Sequence, residues 1–320
     1  MSSITHRELQ VNGIRMHVAE AGSGPLIILC HGWPELWYSW RHQLPALAEA
    51  GFHVVAPDMR GFGATEAPTD PAAYSILHTV GDMVALAGAL DARETIIVGH
   101  DWGAPVAWTA AMMRPDLFKA VVGMSVPHRP RSPDAPLRLL KQAGLQDYYW
   151  FYFQTPGVAE KEFERDVSVT MRKLLCGISG NVPVDRENPM NVPAGTGFLD
   201  RLAVPEKLPD WLREKDVERM VSEYQRTGFG SGLNLYRNID RNWELTAAWH
   251  GAQIRQPALF IAGTRDPVIA GKRGEIAIEH MGQAVPGVKK ALIDGAGHWI
   301  QQERPEEVNA ALLDFLRQFR

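Results

Sequence analysis

The sequence predicts an α/β protein: a mostly parallel central sheet flanked by helices on both faces, with a helical cap inserted into it. In the first third of the 320 residues, short apolar runs bounded by Gly or Pro alternate with segments of helical spacing. That alternation is typical of βαβ units, whose strands are buried on both faces. The strand-like runs stop near residue 128 and return near residue 258, so the sheet is expected to come from two separate segments.

Composition agrees with this class and argues against several others. Hydrophobic residues make up 45% of the chain, charged residues 22%, and the net charge is −4. No run of like charge is present, so we expect neither a nucleic-acid partner nor a polybasic membrane patch. Two cysteines, Cys30 and Cys176, are too few for a disulfide scaffold. The sequence has no apolar run of membrane-spanning length and its first residues lack a signal-peptide core, so a cytoplasmic location is expected.

Each element has its own signal. The chain should begin with a β-hairpin, because Asn12-Gly13 is a strong turn signal between two strand-like segments. Buried strands should follow at four apolar runs, which are Pro25–Cys30, Phe52–Ala56, Thr95–Val98 and Ala120–Met124. Strand signals return at Ala258–Ala262 and Val288–Ile293. Helices should lie at the segments of helical spacing, which are Thr79–Leu90, Ala104–Met113 and Pro305–Arg320.

The middle of the chain is predicted to be a separate helical unit. It is richer in charges and prolines, and its helix-like stretches include Glu160–Leu175 and Glu214–Arg226. We therefore predict that residues 1–127 and 247–320 form one α/β core and that residues 128–246 form a cap.

The sharpest local signal is Gly99-His100-Asp101-Trp102-Gly103, between a buried strand and a helix. A strained strand-to-helix turn with small neighbours would hold the central side chain outward, as in a nucleophile elbow with Asp in place of Ser. An ionised Asp needs no base to act as a nucleophile near neutral pH. The alternative is that Asp101 only caps the following helix.

Two further residues complete a catalytic order. Asp266 follows the strand at Ala258–Ala262, and His298 follows the strand at Val288–Ile293. The carboxyl ends of parallel strands meet at one edge of a sheet, so Asp101, Asp266 and His298 should lie close together. The order predicts a nucleophile, an acid that orients the histidine, and a histidine base.

An oxyanion site is predicted beside the nucleophile. His31-Gly-Trp33-Pro34 follows the first buried strand, where a main-chain N–H could stabilise negative charge. We assign this role to the main chains of Trp33 and Trp102, although the segment could also be a simple turn. No metal-ligand spacing and no dinucleotide fingerprint are present, so neither a metal nor a cofactor is expected.

At this point the sequence resembles the α/β-hydrolase-fold epoxide hydrolases over nearly its whole length. The core motifs are His31-Gly-Trp-Pro34, Asp58-Met-Arg-Gly-Phe-Gly63, Gly99-His-Asp-Trp-Gly103, Asp266 and Gly297-His298. More discriminating motifs lie in the predicted cap, at Tyr152-Phe-Gln-Thr-Pro-Gly-Val-Ala-Glu160 and Asn234-Leu-Tyr236-Arg-Asn238. The resemblance implies that Tyr152 and Tyr236 bind and protonate an epoxide oxygen. Three tryptophans are candidate walls of an apolar pocket, namely Trp37, Trp150 and Trp299.

The resemblance implies a two-step reaction. Asp101 opens a small apolar epoxide to give an ester, and water activated by His298 then releases a vicinal diol. A haloalkane dehalogenase would use the same nucleophile, and a non-catalytic ligand receptor would use the same fold. The sequence leaves a homodimer open.

Overall fold

A computed structural model describes residues 3–182, 190–204 and 206–320. Its centre is a sheet of eight strands in the order β1-β2-β4-β3-β5-β6-β7-β8, with helices against both faces. The first two pairings, β1 with β2 and β2 with β4, are antiparallel, and the other five are parallel. The predicted mostly parallel α/β architecture is therefore confirmed.

The strands are β1 (Thr5–Val11), β2 (Ile14–Ala21), β3 (Leu26–Cys30), β4 (His53–Pro57), β5 (Thr95–His100), β6 (Phe118–Met124), β7 (Ala258–Gly263) and β8 (Lys289–Ile293). The helices are α1 (Gln43–Glu49), α2 (Ile76–Ala89), α3 (Gly103–Met113), α4 (Pro136–Gln142), α5 (Tyr149–Tyr152), α6 (Val158–Phe163), α7 (Val167–Gly177), α8 (Glu214–Thr227), α9 (Gly230–Arg237), α10 (Ile239–Leu245), α11 (Gly271–Ala284), α12 (Ile300–Glu303) and α13 (Pro305–Leu316).

Burial on both faces explains why the central strands are largely apolar, whereas the edge strands β1 and β8 are mostly exposed and carry charged residues. In β3, Ile28 packs into the hydrophobic cluster on one face of the sheet, and its neighbour Ile27 packs into the cluster on the other. Trp108 of α3 belongs to the first cluster and Leu312 of α13 to the second. Successive strand side chains point to opposite faces, so a strand covered by helices on both sides has no position for a polar residue.

The insertion lies between β6 and β7. The part of it that the structure describes contains the helices α4 to α10. The single helix-like stretch Glu160–Leu175 is two helices, because the Asp166 carboxylate accepts a bond from the Val169 amide and begins α7 there. The cap boundaries at residues 128 and 246 stay a prediction. Among the described helices, none is long and apolar enough to cross a membrane.

Candidate active site

Asp101 lies between β5 and α3, and its backbone is in the left-handed conformation, with a φ of 49°. Such a conformation is uncommon outside glycine and is tolerated where the surrounding structure requires it. Glycines make the turn fit: a Cβ on Gly99 would collide with the Gly103 carbonyl, and one on Gly103 would collide with the Cys30 carbonyl. The elbow therefore holds the Asp101 side chain at the carboxyl edge of the sheet.

One oxygen of Asp101 is held by the neighbouring strand end. The Trp33 amide donates to Asp101 Oδ1 over 2.7 Å, and the Trp33–Pro34 peptide bond is cis. Gly32 is needed here because a Cβ at that position would collide with the Asp101 carboxylate. The Trp102 amide follows Asp101 at the start of α3, where helix N–H groups favour negative charge.

His298 lies between the two aspartates. Its Nδ1 is 3.0 Å from Asp266 Oδ1, and its Nε2 is 3.4 Å from Asp101 Oδ2. Burial alone would lower the pKa of the imidazole, but the Asp266 and Asp101 carboxylates outweigh it and raise that pKa well above its usual value. The structure thus brings together the three residues that the sequence predicts as nucleophile, orienting acid and base.

A second buried acid, which the sequence analysis did not find, supports both loops. Glu35 accepts bonds from the Gly32 amide at 3.1 Å and from the side chains of His100 and Gln301. Burial would raise the pKa of the Glu35 carboxyl, but His100 outweighs it and lowers that pKa to about 2. His100 Nε2 in turn bonds the His298 carbonyl at 2.7 Å, so this network joins the predicted oxyanion loop to the loop of the base.

The aspartate and the histidine line one cavity together with the insertion. Asp101, His298 and Trp299 form its core side. Its opposite wall is apolar and includes Leu174, Ile178, Met190, Phe198 and Leu202.

Two tyrosines complete that opposite wall. One is the predicted Tyr236, and the other is Tyr149 in place of the predicted Tyr152. Tyr149 and Tyr236 both line the cavity with Asp101, and their ring centroids lie 5.7 Å apart. Burial, followed by nearby Tyr and Asp101 groups, raises the pKa of both phenols well above the usual value. Both are therefore hydrogen-bond donors at neutral pH.

The structure does not bring Tyr152 to this cavity. Its hydroxyl donates to Glu162 Oε2 over 2.7 Å, and burial together with that carboxylate raises its pKa. Tyr149 occupies the place that the sequence analysis gives to Tyr152, three residues earlier in the same aromatic stretch. Because the Tyr152 hydroxyl is bonded to Glu162 and Tyr152 is not among the described residues that line the cavity, Tyr149 and not Tyr152 is the candidate proton donor.

The predicted pocket tryptophans divide in the same way. Trp299 lines the cavity, but Trp37 and Trp150 are not among the described residues that line it. Trp33, which was predicted only for its main-chain N–H, lines the cavity as well. Trp37 packs against His6. Trp150 packs against Tyr149, so it contacts a cavity residue without reaching the cavity. Within the described ranges, no group of three or more His, Cys, Asp or Glu side chains could hold a metal ion.

Comparison with known proteins places this chain in a family. Residues 25–305 match the model of the α/β-hydrolase fold. The chain is 46% identical to epoxide hydrolase A of Mycobacterium tuberculosis, covering 99% of this chain and 98% of that protein. It is 42% identical to epoxide hydrolase 1 of Siraitia grosvenorii, over the full length of both.

Solved structures give the same result. Epoxide hydrolase A from Mycobacterium thermoresistibile superposes with a TM-score of 0.93 at 46% identity, covering 98% of each chain. An epoxide hydrolase from an endophytic Streptomyces gives a TM-score of 0.94 at 43% identity, covering 99% of this chain and 96% of that one. The chain belongs to the epoxide hydrolase family of the α/β-hydrolase fold.

Proposed function

We propose that this protein hydrolyses small apolar epoxides to vicinal diols through a covalent ester on Asp101. One observation carries the proposal: two buried, protonated phenols, Tyr149 and Tyr236, share a cavity with the carboxylate of Asp101. Opening an epoxide needs a nucleophile for carbon and a proton donor for oxygen, and the cavity offers both. The relatives named epoxide hydrolase over the whole chain support the same chemistry.

In the first step, Asp101 Oδ2 attacks a ring carbon and forms a C–O bond. The C–O bond of the epoxide at that carbon breaks, and its electron pair stays on the ring oxygen. That oxygen receives a proton from Tyr149 or Tyr236, and the phenolate recovers a proton from solvent. The product is a hydroxyalkyl ester of Asp101. Trp33 holds Oδ1 through its amide and so directs the free oxygen, Oδ2, toward the substrate.

In the second step, water attacks the ester carbonyl carbon of Asp101, and His298 takes the proton of that water. The amides of Trp33 and Trp102 stabilise the oxyanion. As it collapses, the bond between the carbonyl carbon and Oδ2 breaks, and the imidazolium of His298 returns its proton to the departing alkoxide, which leaves as the diol. The new Asp101 carboxyl group then loses its proton to solvent, which balances the proton taken up by the phenolate in the first step. The pKa of His298 explains why this residue becomes a base in the second step. Two carboxylates raise it in the free enzyme, and esterification removes the charge of Asp101. The imidazole therefore becomes easier to deprotonate once the ester has formed.

The cavity wall indicates the class of substrate. Leu174, Ile178 and Leu202 present only hydrocarbon to the cavity. A polar group placed there would lose hydrogen bonds to water without replacement. The proposed substrate is therefore an epoxide whose substituents are aromatic or aliphatic.

The ester is tested by isotope and by mass. After turnover of styrene oxide in heavy-oxygen water, we expect labelled oxygen in the Asp101 carboxylate, measured on the peptide that contains it. The variant His298→Gln should accumulate the ester, seen as an intact-mass increase equal to the epoxide. An unlabelled Asp101, or an unchanged mass after epoxide is added to the variant, would contradict the ester route.

The dehalogenase alternative is tested with the same protein. It requires halide release from a chloroalkane and no diol from an epoxide. Diol formation without halide release supports the proposal, and the opposite pair of results would replace it.

A further inference from the structure

One partly buried carboxylate outside the groups assigned to the reaction binds the loop that carries His298. Glu303 ends α12, and its Oε1 accepts a bond from the Trp299 amide at 3.1 Å. Its Oε2 accepts a bond from the Gly297 amide at 2.9 Å. These two amides stand immediately before and after His298 in the chain. Glu303 therefore fixes the main chain on both sides of the base.

The same carboxylate also binds the insertion. Glu303 Oε2 accepts a second bond, from the Gly180 amide, at 2.9 Å. Two further bonds join this part of the insertion, a strip of residues 178–180, to the core. The His298 amide donates to the Ile178 carbonyl at 3.0 Å, and Arg265 Nη1 donates to the Gly180 carbonyl at 2.9 Å. Ile178 also lines the cavity. The wall of the cavity and the loop of the base thus share one carboxylate.

The backbones of the strip and the loop meet directly. A Cβ on Gly297 would collide with the Gly180 amide nitrogen, and a Cβ on Gly180 would collide with the Gly295 carbonyl. Burial raises the pKa of Glu303, against the effect of the three amides that donate to it. A neutral side chain at this position would leave at least one buried amide without an acceptor, which is unfavourable.

We propose that Glu303 is a positioning residue for the second half of the reaction. Glu303 holds His298 in position relative to Asp101 and to the cavity wall. The activation of water by His298 therefore depends on Glu303. Ester formation does not, because Asp101 is held by the elbow and the Trp33 amide, neither of which Glu303 contacts. The inference rests on the proposed function, since it assigns the two steps to different supports.

The test separates the two steps in the variant Glu303→Gln, with rapid-quench mixing of styrene oxide and full-length protein. Gln keeps the size of the side chain but turns an NH₂ group toward an amide that needs an acceptor. Ester decay should slow about ten- to a hundredfold, the range for a misplaced catalytic group, while ester formation stays within about twofold. The ester should therefore accumulate. Glu307→Gln, on an exposed residue of α13, is the matched control and should behave as the wild type.

The measurement distinguishes this role from a loss of folding. The amount of ester formed per enzyme counts folded active sites, so misfolding reduces that amount and leaves the decay rate of the ester unchanged. A wild-type decay rate, or equal slowing of both steps, overturns the role of Glu303. If the wild type itself forms no ester, the proposed function fails. If the wild type forms ester and Glu303→Gln hydrolyses its ester at the wild-type rate, the positioning role alone is wrong.

Discussion

The two sides of the cavity are built from different kinds of structure. On the core side, Asp101, Asp266 and His298 follow the ends of β5, β7 and β8, and each is fixed by short bonds to other segments. On the other side, Tyr149 lies in a helix of four residues and Tyr236 in a helix of eight. The proposed nucleophile is thus placed by sheet topology, whereas the proposed proton donors are placed by side-chain packing of short helices.

Removing the proposed nucleophile on the core side of the cavity should abolish ester formation. Asp101→Ala leaves no atom able to form the ester, so we expect the rate of diol formation to fall about 10⁴-fold or more, as for removal of other covalent nucleophiles. Chromatographic assay of the diol checks this. Asp314→Ala, on an exposed residue, is the control and should keep wild-type activity. Substantial turnover by Asp101→Ala would mean that water attacks the epoxide directly.

Removing one proton donor should affect the other side less. Tyr149→Phe and Tyr236→Phe each leave the second phenol, so we expect the ester-formation rate to fall roughly ten- to a hundredfold, below the full range of general acid catalysis. Single-turnover kinetics measure it.

Tyr152→Phe is the matched control for those two variants. It removes only the bond to Glu162, and ester formation should stay within about twofold because the change lies outside the cavity. A larger loss for Tyr152→Phe than for Tyr149→Phe would reverse our assignment of the two tyrosines.

The pH dependence should separate the two chemical steps. In the free enzyme both carboxylates favour protonated His298, but in the ester only Asp266 remains charged. The pKa of His298 should therefore be lower in the ester. Ester decay should accelerate as pH rises through that lower pKa, and NMR titration of the free enzyme should place His298 higher. Equal values from the two measurements would argue against charge loss at Asp101.

The smallest effect is expected outside the cavity. Trp37 packs against His6, and the Arg219 guanidinium lies over its ring, so its contacts are outside the cavity. Trp37→Phe should therefore change kcat/KM for styrene oxide by no more than about twofold. Trp299→Phe changes a residue that lines the cavity and should have the larger effect on KM. The reverse order would show that the substrate reaches the surface around Trp37.

This contrast also explains what the sequence could predict. Strand ends of a parallel sheet meet at one edge, so Asp101, Asp266 and His298 could be placed together from their order and from the strands before them. The aromatic stretch of residues 148–153 offered no such rule. Tyr149 and Tyr152 differ by about 4.5 Å along a helix and about 60° around it. Contacts with distant residues decide which of the two faces the cavity.

The supporting carboxylates were out of reach for a related reason. Glu35 and Glu303 accept main-chain N–H bonds from three to six residues away and also bonds from segments more than 60 residues away. No spacing in a single sequence reports such a partner. The predicted role of each catalytic group followed from its residue type, but the groups that hold it became visible only in three dimensions.

The amide of Trp33 makes the two oxygens of the Asp101 carboxylate unequal. It holds Oδ1 at 2.7 Å, while Oδ2 faces His298. In the proposed reaction Oδ2 leaves with each diol and water supplies its replacement, but Oδ1 stays bound to the amide. As long as the carboxylate does not rotate, repeated turnover in heavy-oxygen water would label Asp101 with one atom and never two. The first diol would carry an oxygen inherited from the protein, and every later diol would carry one from the preceding turnover.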